Sequence, residues 1–401
     1  GYYLDGIEDF KGAFHYYSLA AKLNYPMAQY NLALLYIQGR YVSKDNEKAI
    51  YYLKLAANQN FILAQAVLGD IYYNGKYVTR DIKKAIYYYE LVADKNVSNS
   101  QFNLGLLYFQ GKFVERNIQK SLKYFTILSN QGDSGAQYYL GLIYIDEDYG
   151  VFDINKAIHY LTLSANNNYK DSCYLLGVVY SEGKYVQRDI NKSIYYYILA
   201  ANQNDMKSQY NLGVIYSENK LIPVDINKAI NYFTLASEKN CPNAQYNLGC
   251  IYYKGEYVIR DFQKAINYFT LAADNNHAEA QFNLGVYYEG IDINKSIYYY
   301  TLSSNNNYTF AQFNLGVVYI KGFNIKQDID KAIHYFTLAA DLGHVGAQKN
   351  LALYYKKGEF VKQDINKSIY YSKLAANLND SDAQYFLGSI YFRNEYGIKQ
   401  D

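Results

Sequence analysis

The strongest constraint on the fold of this chain is an internal repeat. A unit that begins with a small residue, usually followed by Gln, recurs every 36 residues, except for one interval of 31 residues. The units start at Ala28, Ala64, Ser100, Ala136, Ser172, Ser208, Ala244, Ala280, Ala311, Ala347 and Ala383. With the small residue as position 1, position 5 is Leu and position 9 is Tyr in every unit, and positions 21 and 25 are Lys and Tyr in every complete one. Self-similarity at this period is typical of solenoid proteins.

The first half of each unit predicts a helix, which we call helix A. Its positions 1, 5, 8 and 9 form one apolar stripe at the helical period, and position 6 is Gly or, twice, Ala. Because Gly inside a helix costs about 1 kcal/mol relative to Ala, its recurrence predicts a close helix crossing. Position 12 is Gly in seven units, as expected for a left-handed residue that ends the helix.

The second half predicts another helix, helix B. It begins after position 18, which is Asp in most units and is a favoured N-cap residue. Positions 22, 25, 26 and 29 form the predicted buried face, and positions 20, 24, 27 and 31 the solvent face. Position 33 is Asn eight times and Gly twice, the residues that best tolerate a left-handed helix end. The prediction is an α-solenoid of antiparallel helix pairs.

The repeat also predicts the domain boundaries. Residues 1–27 are the expected end of a preceding repeat, residues 28–382 ten repeats, and residues 383–401 the first helix of an eleventh. Since the chain starts without Met and ends within a repeat, we expect it to be part of a longer protein.

Composition restricts the function further. Lys and Arg total 39 and Asp and Glu 37, so the net charge of +2 gives no general argument for nucleic acid as a partner. No apolar run approaches the ~18 residues of a membrane helix, so no direct membrane insertion is predicted. Three cysteines cannot form a disulfide framework, and the sequence shows no signal or transmembrane segment. Together these two features favour a cytoplasmic location.

One unit carries a recognisable pattern. It consists of Ala244, Gln245, Tyr246, Asn247, Leu248, Gly249, Tyr252, Gly255, Val258, Asp261, Lys264, Ala265, Tyr268, Ala272 and Ala273. This pattern resembles the Sel-one-like repeat, a relative of the tetratricopeptide repeat, and the resemblance covers nearly the whole chain. The chain departs from the family in having Tyr where Trp is usual at position 25, and Asn where Gly is usual at the end of helix B.

The resemblance implies a fold and two functions. The fold is all-α, a right-handed superhelical α-solenoid of about eleven 36-residue repeats, one of them shortened to 31. The first function is a non-enzymatic scaffold or adaptor that binds a protein or peptide on the concave solenoid surface. The alternative is a regulatory subunit that activates or recruits a membrane-bound enzyme, of the synthase-activator or the quality-control ubiquitin-ligase-adaptor type.

The sequence offers no catalytic, cofactor or metal site. The five His residues fall on the solvent face of helix B in distant units or in loops between repeats, too far apart to hold one metal ion. The recurring Asp–x–x–Lys pairs are interpreted as helix caps with first-turn charges, and the common nucleotide-binding, metalloprotease and nucleophile motifs are absent. We therefore predict that the chain is not an enzyme.

Helix A carries the candidate partner-binding surface. In the related tetratricopeptide superhelix this helix lines the concave face, and the matching positions here are 3, 7, 10 and 11. Position 3 is aromatic in nine of eleven units, and these rings either pack against a neighbouring repeat or form a groove wall that grips a peptide. The Tyr residues at position 24 of helix B, expected to be exposed, are either contact residues or compositional drift.

Position 11 of helix A carries sorted charge. Neutral residues in the first three units are followed by acidic and then mostly basic residues, and the tenth unit adds Lys at positions 3 and 10. Either the groove is electrostatically bipolar, or the stripe is a solvated face with a chance order. The candidate partner-binding residues are Asp146, Glu182, Glu218, Lys254, Lys321, Lys349, Lys356, Lys357 and Arg393.

Overall fold

A computed structural model describes residues 9–218 and 221–393, with the backbone alone at Arg393. These residues form 22 α-helices and one short 3-10 helix and contain no strand. This confirms the predicted all-α fold of repeated helix pairs. The chain divides into two compact units, residues 1–200 and residues 201–401, which we call the N-terminal unit and the C-terminal unit.

Helices A carry even numbers and helices B odd numbers, and each is 12 or 13 residues long. The N-terminal unit contains α1 (Phe10–Lys22), α2 (Pro26–Gln38), α3 (Asn46–Asn58), α4 (Ile62–Asn74), α5 (Ile82–Ala93), α6 (Ser98–Gln110), α7 (Ile118–Asn130), α8 (Ser134–Ile145), the 3-10 helix Glu147–Tyr149, α9 (Ile154–Asn166), α10 (Lys170–Glu182) and, at the unit boundary, α11 (Ile190–Ala201). The C-terminal unit contains α12 (Met206–Glu218), α13 (Ile226–Ser237), α14 (Pro242–Lys254), α15 (Phe262–Asp274), α16 (Ala278–Glu289), α17 (Ile293–Asn305), α18 (Thr309–Lys321), α19 (Ile329–Asp341), α20 (Val345–Lys357), α21 (Ile365–Asn377) and α22 (Ser381–Arg393).

The ends of both helices follow the predicted local signals. At position 18 the Asp carboxylate accepts a hydrogen bond from the backbone N–H of position 21, as Asp261 does from Lys264 at 2.9 Å. Position 33 has a positive φ in all ten complete repeats, for example 59° at Asn240 and 88° at Gly343. All seven Gly residues at position 12 are left-handed as well, with φ between 63° and 70°. The predicted caps are confirmed.

The predicted close crossing lies between helices A and B of one repeat. A Cβ atom placed on Gly249 of α14 would lie 2.6 Å from ring atoms of Phe269, at position 26 of α15. Seven repeats pair Gly at position 6 with an aromatic ring at position 26 in this way. The two repeats with Ala at position 6, Ala33 and Ala352, have Leu53 and Ser372 at position 26. The missing Cβ therefore makes room for a buried ring.

Position 25 differs from the expectation of a buried residue in most repeats, although Tyr124 and Tyr371 are buried. Tyr268 is half-buried, whereas Phe269 beside it is almost fully buried. The Tyr268 ring stacks on Tyr252, at position 9, with centroids 5.9 Å apart, and the Lys264 ammonium lies 4.1 Å from the Tyr252 centroid. A Lys of position 21 lies over the Tyr of position 9 in all ten complete repeats. Cation–π and stacking contacts thus account for the recurring residues at positions 9, 21 and 25.

The Gln of position 2 joins consecutive repeats. Gln245 is 1% exposed and donates a hydrogen bond from Nε2 to the Ser237 carbonyl at the end of the preceding helix B, at 3.2 Å. Equivalent bonds recur in nine further repeats, from Gln29 to Gln384. In most repeats the same carbonyl also accepts the backbone N–H of position 33, as Ser237 does from Asn240 at 2.9 Å, so the Gln adds a second donor at the helix end.

The assignment of the chain ends to partial repeats stays a prediction. Helix α1 has the length of a helix B and an Asp9 cap that accepts from the Gly12 N–H at 2.8 Å. Residues 1–8 and 394–401 lie outside the described residues.

Candidate partner-binding surface

Helices A of consecutive repeats border shared cavities. In the C-terminal unit, a cavity of about 330 Å³ lies between α12 and α14, and Glu218, Asn247, Cys250 and Lys254 contribute to its lining. In the N-terminal unit, a cavity of about 420 Å³ lies between α8 and α10. Its lining includes Ile145, Asp146, Leu175, Val178 and Glu182. Positions 4, 7, 10 and 11 therefore share one face of helix A, as expected from the helical period.

The acidic candidates occupy two different environments. Asp146 is half-buried, and its carboxylate accepts a hydrogen bond from the Asp148 N–H at 2.9 Å, which caps the 3-10 helix. Glu182 and Glu218 are exposed. Glu218 shares its cavity with the exposed Lys254, so residues of both signs face the same opening.

The basic candidates of the tenth repeat have local partners. Lys349 forms ion pairs with Asp380 at 3.2 Å and Asp382 at 2.6 Å, and these bonds raise the pKa of its ammonium group. The Lys356 ammonium lies 4.2 Å from the centroid of the Phe386 ring. The field of this repeat is weaker than its lysines suggest, because neighbouring carboxylates offset the Lys349 charge.

Lys357, Lys321 and Arg393 complete the candidate set. Lys357 is exposed, and its ammonium group lies 3.9 Å from the Glu359 carboxylate. A surface ion pair of this kind contributes little to stability. Lys321 is exposed at the end of α18. Arg393 is the last residue of α22, and its side chain lies outside the described residues.

The aromatic rings of position 3 pack within the solenoid. Tyr246 stacks on His277 with centroids 4.5 Å apart and lies 5.8 Å from Phe269. Phe313 makes the same contacts with His344, at 4.5 Å, and with a ring at position 26. These half-buried rings thus join a helix A to its own helix B and to the next repeat.

Two His residues have a role that the sequence pattern did not indicate. His277 and His344 occupy position 34, and Nδ1 of each accepts a hydrogen bond from the third N–H of the following helix A, at 3.3 Å and 3.1 Å. Burial lowers the pKa of both side chains. The signal was available, because position 34 is Asp in three other repeats and Asp is a common N-cap.

Other candidate chemistries find no support in the geometry. Within residues 9–218 and 221–393, no group of three His, Cys, Asp or Glu residues is placed to hold a metal ion. No helix in the same ranges combines the length and apolarity needed to cross a bilayer. The Tyr residues of position 24 are exposed as predicted, for example Tyr87 and Tyr195.

Comparisons with known proteins agree with this architecture. One similar structure is the crystal structure of c5321, a protective antigen present in uropathogenic Escherichia coli strains that displays an SLR fold. Its TM-score is 0.68, with 29% sequence identity over 97% of this chain and 84% of that chain. A Sel1 repeat protein from Oxalobacter formigenes is similar with a TM-score of 0.65 and 26% identity over 76% of this chain and 90% of that chain. A search of curated proteins gave no match.

The sequence model of the Sel1 repeat matches the chain twelve times. The matches cover residues 1–25, 26–61, 62–97, 98–133, 134–169, 170–205, 207–241, 242–277, 278–308, 309–344, 345–380 and 381–401. They follow the same period as the helix pairs, and the short match of residues 278–308 falls in the shortened repeat, which begins at Ala280. The chain therefore belongs to the Sel1 repeat family, whose members are generally protein–protein interaction scaffolds without catalytic activity.

Proposed function

We propose that this chain is a non-enzymatic scaffold or adaptor that binds a protein or peptide on the helix A surface. The observation that carries the proposal is that each unit has a cavity between consecutive helices A, lined by charged residues of position 11. Grooves of this kind accept extended or helical segments of a partner. Helix B supports the proposal indirectly, because its recurring Asp of position 18 caps the helix and its recurring Lys of position 21 lies over a Tyr of helix A.

The proposed contact residues are the charged candidates on this surface. Asp146 and Glu182 belong to the N-terminal unit, and the C-terminal unit contributes Glu218 and then the basic residues Lys254, Lys321, Lys349, Lys356, Lys357 and Arg393. An acidic partner segment would bind the basic residues of the C-terminal unit, and a basic segment would bind Asp146 and Glu182 of the N-terminal unit. The contribution is expected mainly in the association rate, because exposed charges are screened over ~8 Å at physiological salt.

We also propose that the protein acts in the cytoplasm. All three cysteines are free, and Cys173 and Cys241 are buried, which is consistent with a reducing compartment. A regulatory subunit that recruits a membrane-bound enzyme would use the same surface, but no contact described here favours that role over a general adaptor.

The test begins with affinity capture on the full chain, followed by identification of the retained protein. Lys321, Lys357 and Arg393 are then reversed to Glu together, and the affinity for that protein is measured at low and high salt. We expect a loss of about 10-fold, ~1.4 kcal/mol, at low salt and a smaller loss at high salt.

The matched control reverses Lys54, Lys83 and Lys373, three exposed lysines of helices B, and should leave the affinity unchanged. Equal affinity and equal salt dependence for both triple variants and the parent would show that the stripe on helix A is a solvated face.

A further inference from the structure

The tenth repeat lacks the rings that fill the helix crossing elsewhere. Every other complete repeat has an aromatic residue at position 3, at position 26 or at both. In the ninth repeat, for example, Phe336 is fully buried against Gly316, and the Phe313 ring lies 5.6 Å from it. The tenth repeat has Lys349 and Ser372 at these positions. The space that two rings occupy in the ninth repeat is therefore not filled by side chains of the same size.

A cavity of about 310 Å³ lies at this place, between α20, α21 and α22. Its lining is apolar where Ala352, Leu353, Ala375, Ala383 and Phe386 contribute, and polar where Lys349, Asn350, Lys356 and Asp382 contribute. Leu353 is 42% exposed, so the apolar part reaches the surface of helix A. The volume is roughly twice the ~150 Å³ of a protein cavity that binds benzene.

The polar groups around the cavity are not equivalent. The Ser372 hydroxyl donates to the Ser368 carbonyl at 2.8 Å, so it is already engaged within its own helix. Lys349 forms ion pairs with two carboxylates, those of Asp380 and Asp382. Lys356 has a ring as its described contact and no carboxylate within ion-pair distance among the described residues. It is the lining cation best placed to meet an anionic group.

We propose that this cavity binds the side chain of a phenylalanine in a partner peptide, with an acidic residue next to that phenylalanine contacting Lys356. The proposal rests on the scaffold function proposed above and names the chemistry of one contact. A phenyl ring matches the space because the chain itself places phenylalanines there in the preceding repeat. A ring buried in an apolar pocket beside a charge-assisted contact is the usual form of an interface hot spot.

The cavity can be filled by substitutions that copy the packing of the ninth repeat. Ser372→Phe alone would force the ring against the Ala352 Cβ, because rings at position 26 lie about 2.6 Å from a Cβ placed at position 6. The double variant Ala352→Gly with Ser372→Phe instead reproduces the Gly–Phe pair of the ninth repeat. Ala352→Gly by itself is the matched control, since it leaves the cavity open.

The experiment measures binding of a fluorescein-labelled peptide, Gly-Glu-Phe-Glu-Gly, to the full chain by fluorescence anisotropy. We expect the parent and Ala352→Gly to bind this peptide, and the filled double variant to bind about 10-fold more weakly or worse. Lys356→Glu should weaken binding at low salt more than at high salt. A peptide with Ala in place of Phe should bind the parent as weakly as the Phe peptide binds the double variant. Circular dichroism and thermal unfolding establish that each variant folds.

Two results would overturn the proposal. One is equal binding of the Phe peptide by the parent and a folded double variant. The other is an absence of any preference of the parent for Phe over Ala. If affinity capture on the parent chain still retains a protein in either case, the scaffold function stands and only the cavity proposal fails. If the parent retains no protein, the scaffold function fails independently of the peptide result.

Discussion

At the scale of single residues, a glycine in helix A and a ring in helix B determine each other. Gly249 lacks the Cβ that would lie 2.6 Å from the Phe269 ring, and the ring fills the space so completely that it is 3% exposed. Ala33 is paired with Leu53 and not with a ring, whereas Gly141 of the fourth repeat faces Leu161, so every ring at position 26 faces a Gly but a Leu can face either residue. The pair is thus a unit of packing, in which one partner limits the size of the other.

This pairing predicts a coupled pair of substitutions. Gly249→Ala should destabilise the protein by ~1–3 kcal/mol through overpacking, although Ala is the better helix former by about 1 kcal/mol. In the Phe269→Leu background the same substitution should be neutral or stabilising, because that pair then matches Ala33 and Leu53. A double-mutant cycle in urea measures the coupling, and additive effects would contradict the packing argument.

A second residue-scale prediction concerns pH. Burial lowers the pKa of His344 below its ordinary value of 6.5, so folding favours the neutral imidazole that accepts the Ala347 N–H. Its contribution to stability is therefore present above about pH 6.5 and is lost as the pH falls below that value. His344→Asp supplies a carboxylate cap like that of Asp133, which accepts the Ala136 N–H, and a carboxylate with an ordinary Asp pKa stays ionised in this range.

The measurement is thermal unfolding of the parent and His344→Asp between pH 7.5 and pH 5. The parent should lose more stability on acidification than the variant, while the remaining His residues contribute equally to both. Parallel loss in the two proteins would mean that protonation of His344 does not affect the fold.

At the scale of helices, the Gln of position 2 links one pair to the next. Gln245 donates to the Ser237 carbonyl, and its Oε1 accepts from Asn275 Nδ2 at 3.0 Å, so both ends of the buried amide are satisfied. The fifth repeat has Cys173 instead, whose Sγ lies 3.9 Å from the Ala165 carbonyl. A thiol is the weaker donor, so this junction is less strongly bonded.

Gln245→Ala should therefore cost ~1–3 kcal/mol, because the Ser237 carbonyl loses one of its two donors and the half-buried Asn275 amide loses one of its two acceptors. Cys173→Gln should instead increase the free energy of unfolding, because it introduces the stronger donor at this junction. Gln263→Ala, at an exposed position of α15, is the control and should stay within ~0.5 kcal/mol of the parent. Chemical denaturation followed by circular dichroism compares the three. A Gln245 variant as stable as the control would show that water replaces both bonds.

The helix ends were predictable from sequence because their signals are local. Asp261 and Asn240 act on backbone atoms within a few residues of their own position. The sequence did not predict that position 26 is more deeply buried than position 25. Adjacent residues are only 100° apart on a helix, and the Gly of the facing helix A determines which of the two side chains is buried. The ion-pair partners of Lys349 were not predictable either, because Asp380 and Asp382 lie 31 and 33 residues further along the chain. Burial of the position 3 rings depends on such neighbours as well.

At the scale of the whole molecule, stability is built from contacts between neighbours in the chain. The extensive helix contacts join helices that follow one another directly, within the N-terminal unit and within the C-terminal unit alike. The buried clusters are local: one runs from Ala33 to Tyr124, and Leu248 lies in a smaller one with Phe233, Ala236 and Ala244. Among the described residues no cluster spans either unit, so the energetics approximate a sum over repeats and their interfaces.

Truncation of one interior leucine should therefore divide the unfolding transition. Leu248 is fully buried, and Leu248→Ala should cost ~2–5 kcal/mol locally through lost contacts and a cavity. Because distant repeats do not share that cluster, they should keep their stability while repeats near Leu248 unfold first. Hydrogen exchange, resolved by peptide along the chain, locates the weakened segment, and Leu353→Ala, at a 42% exposed site, is the control. A single sharp transition with the midpoint of the parent, or protection lost evenly along the chain, would refute the nearest-neighbour description.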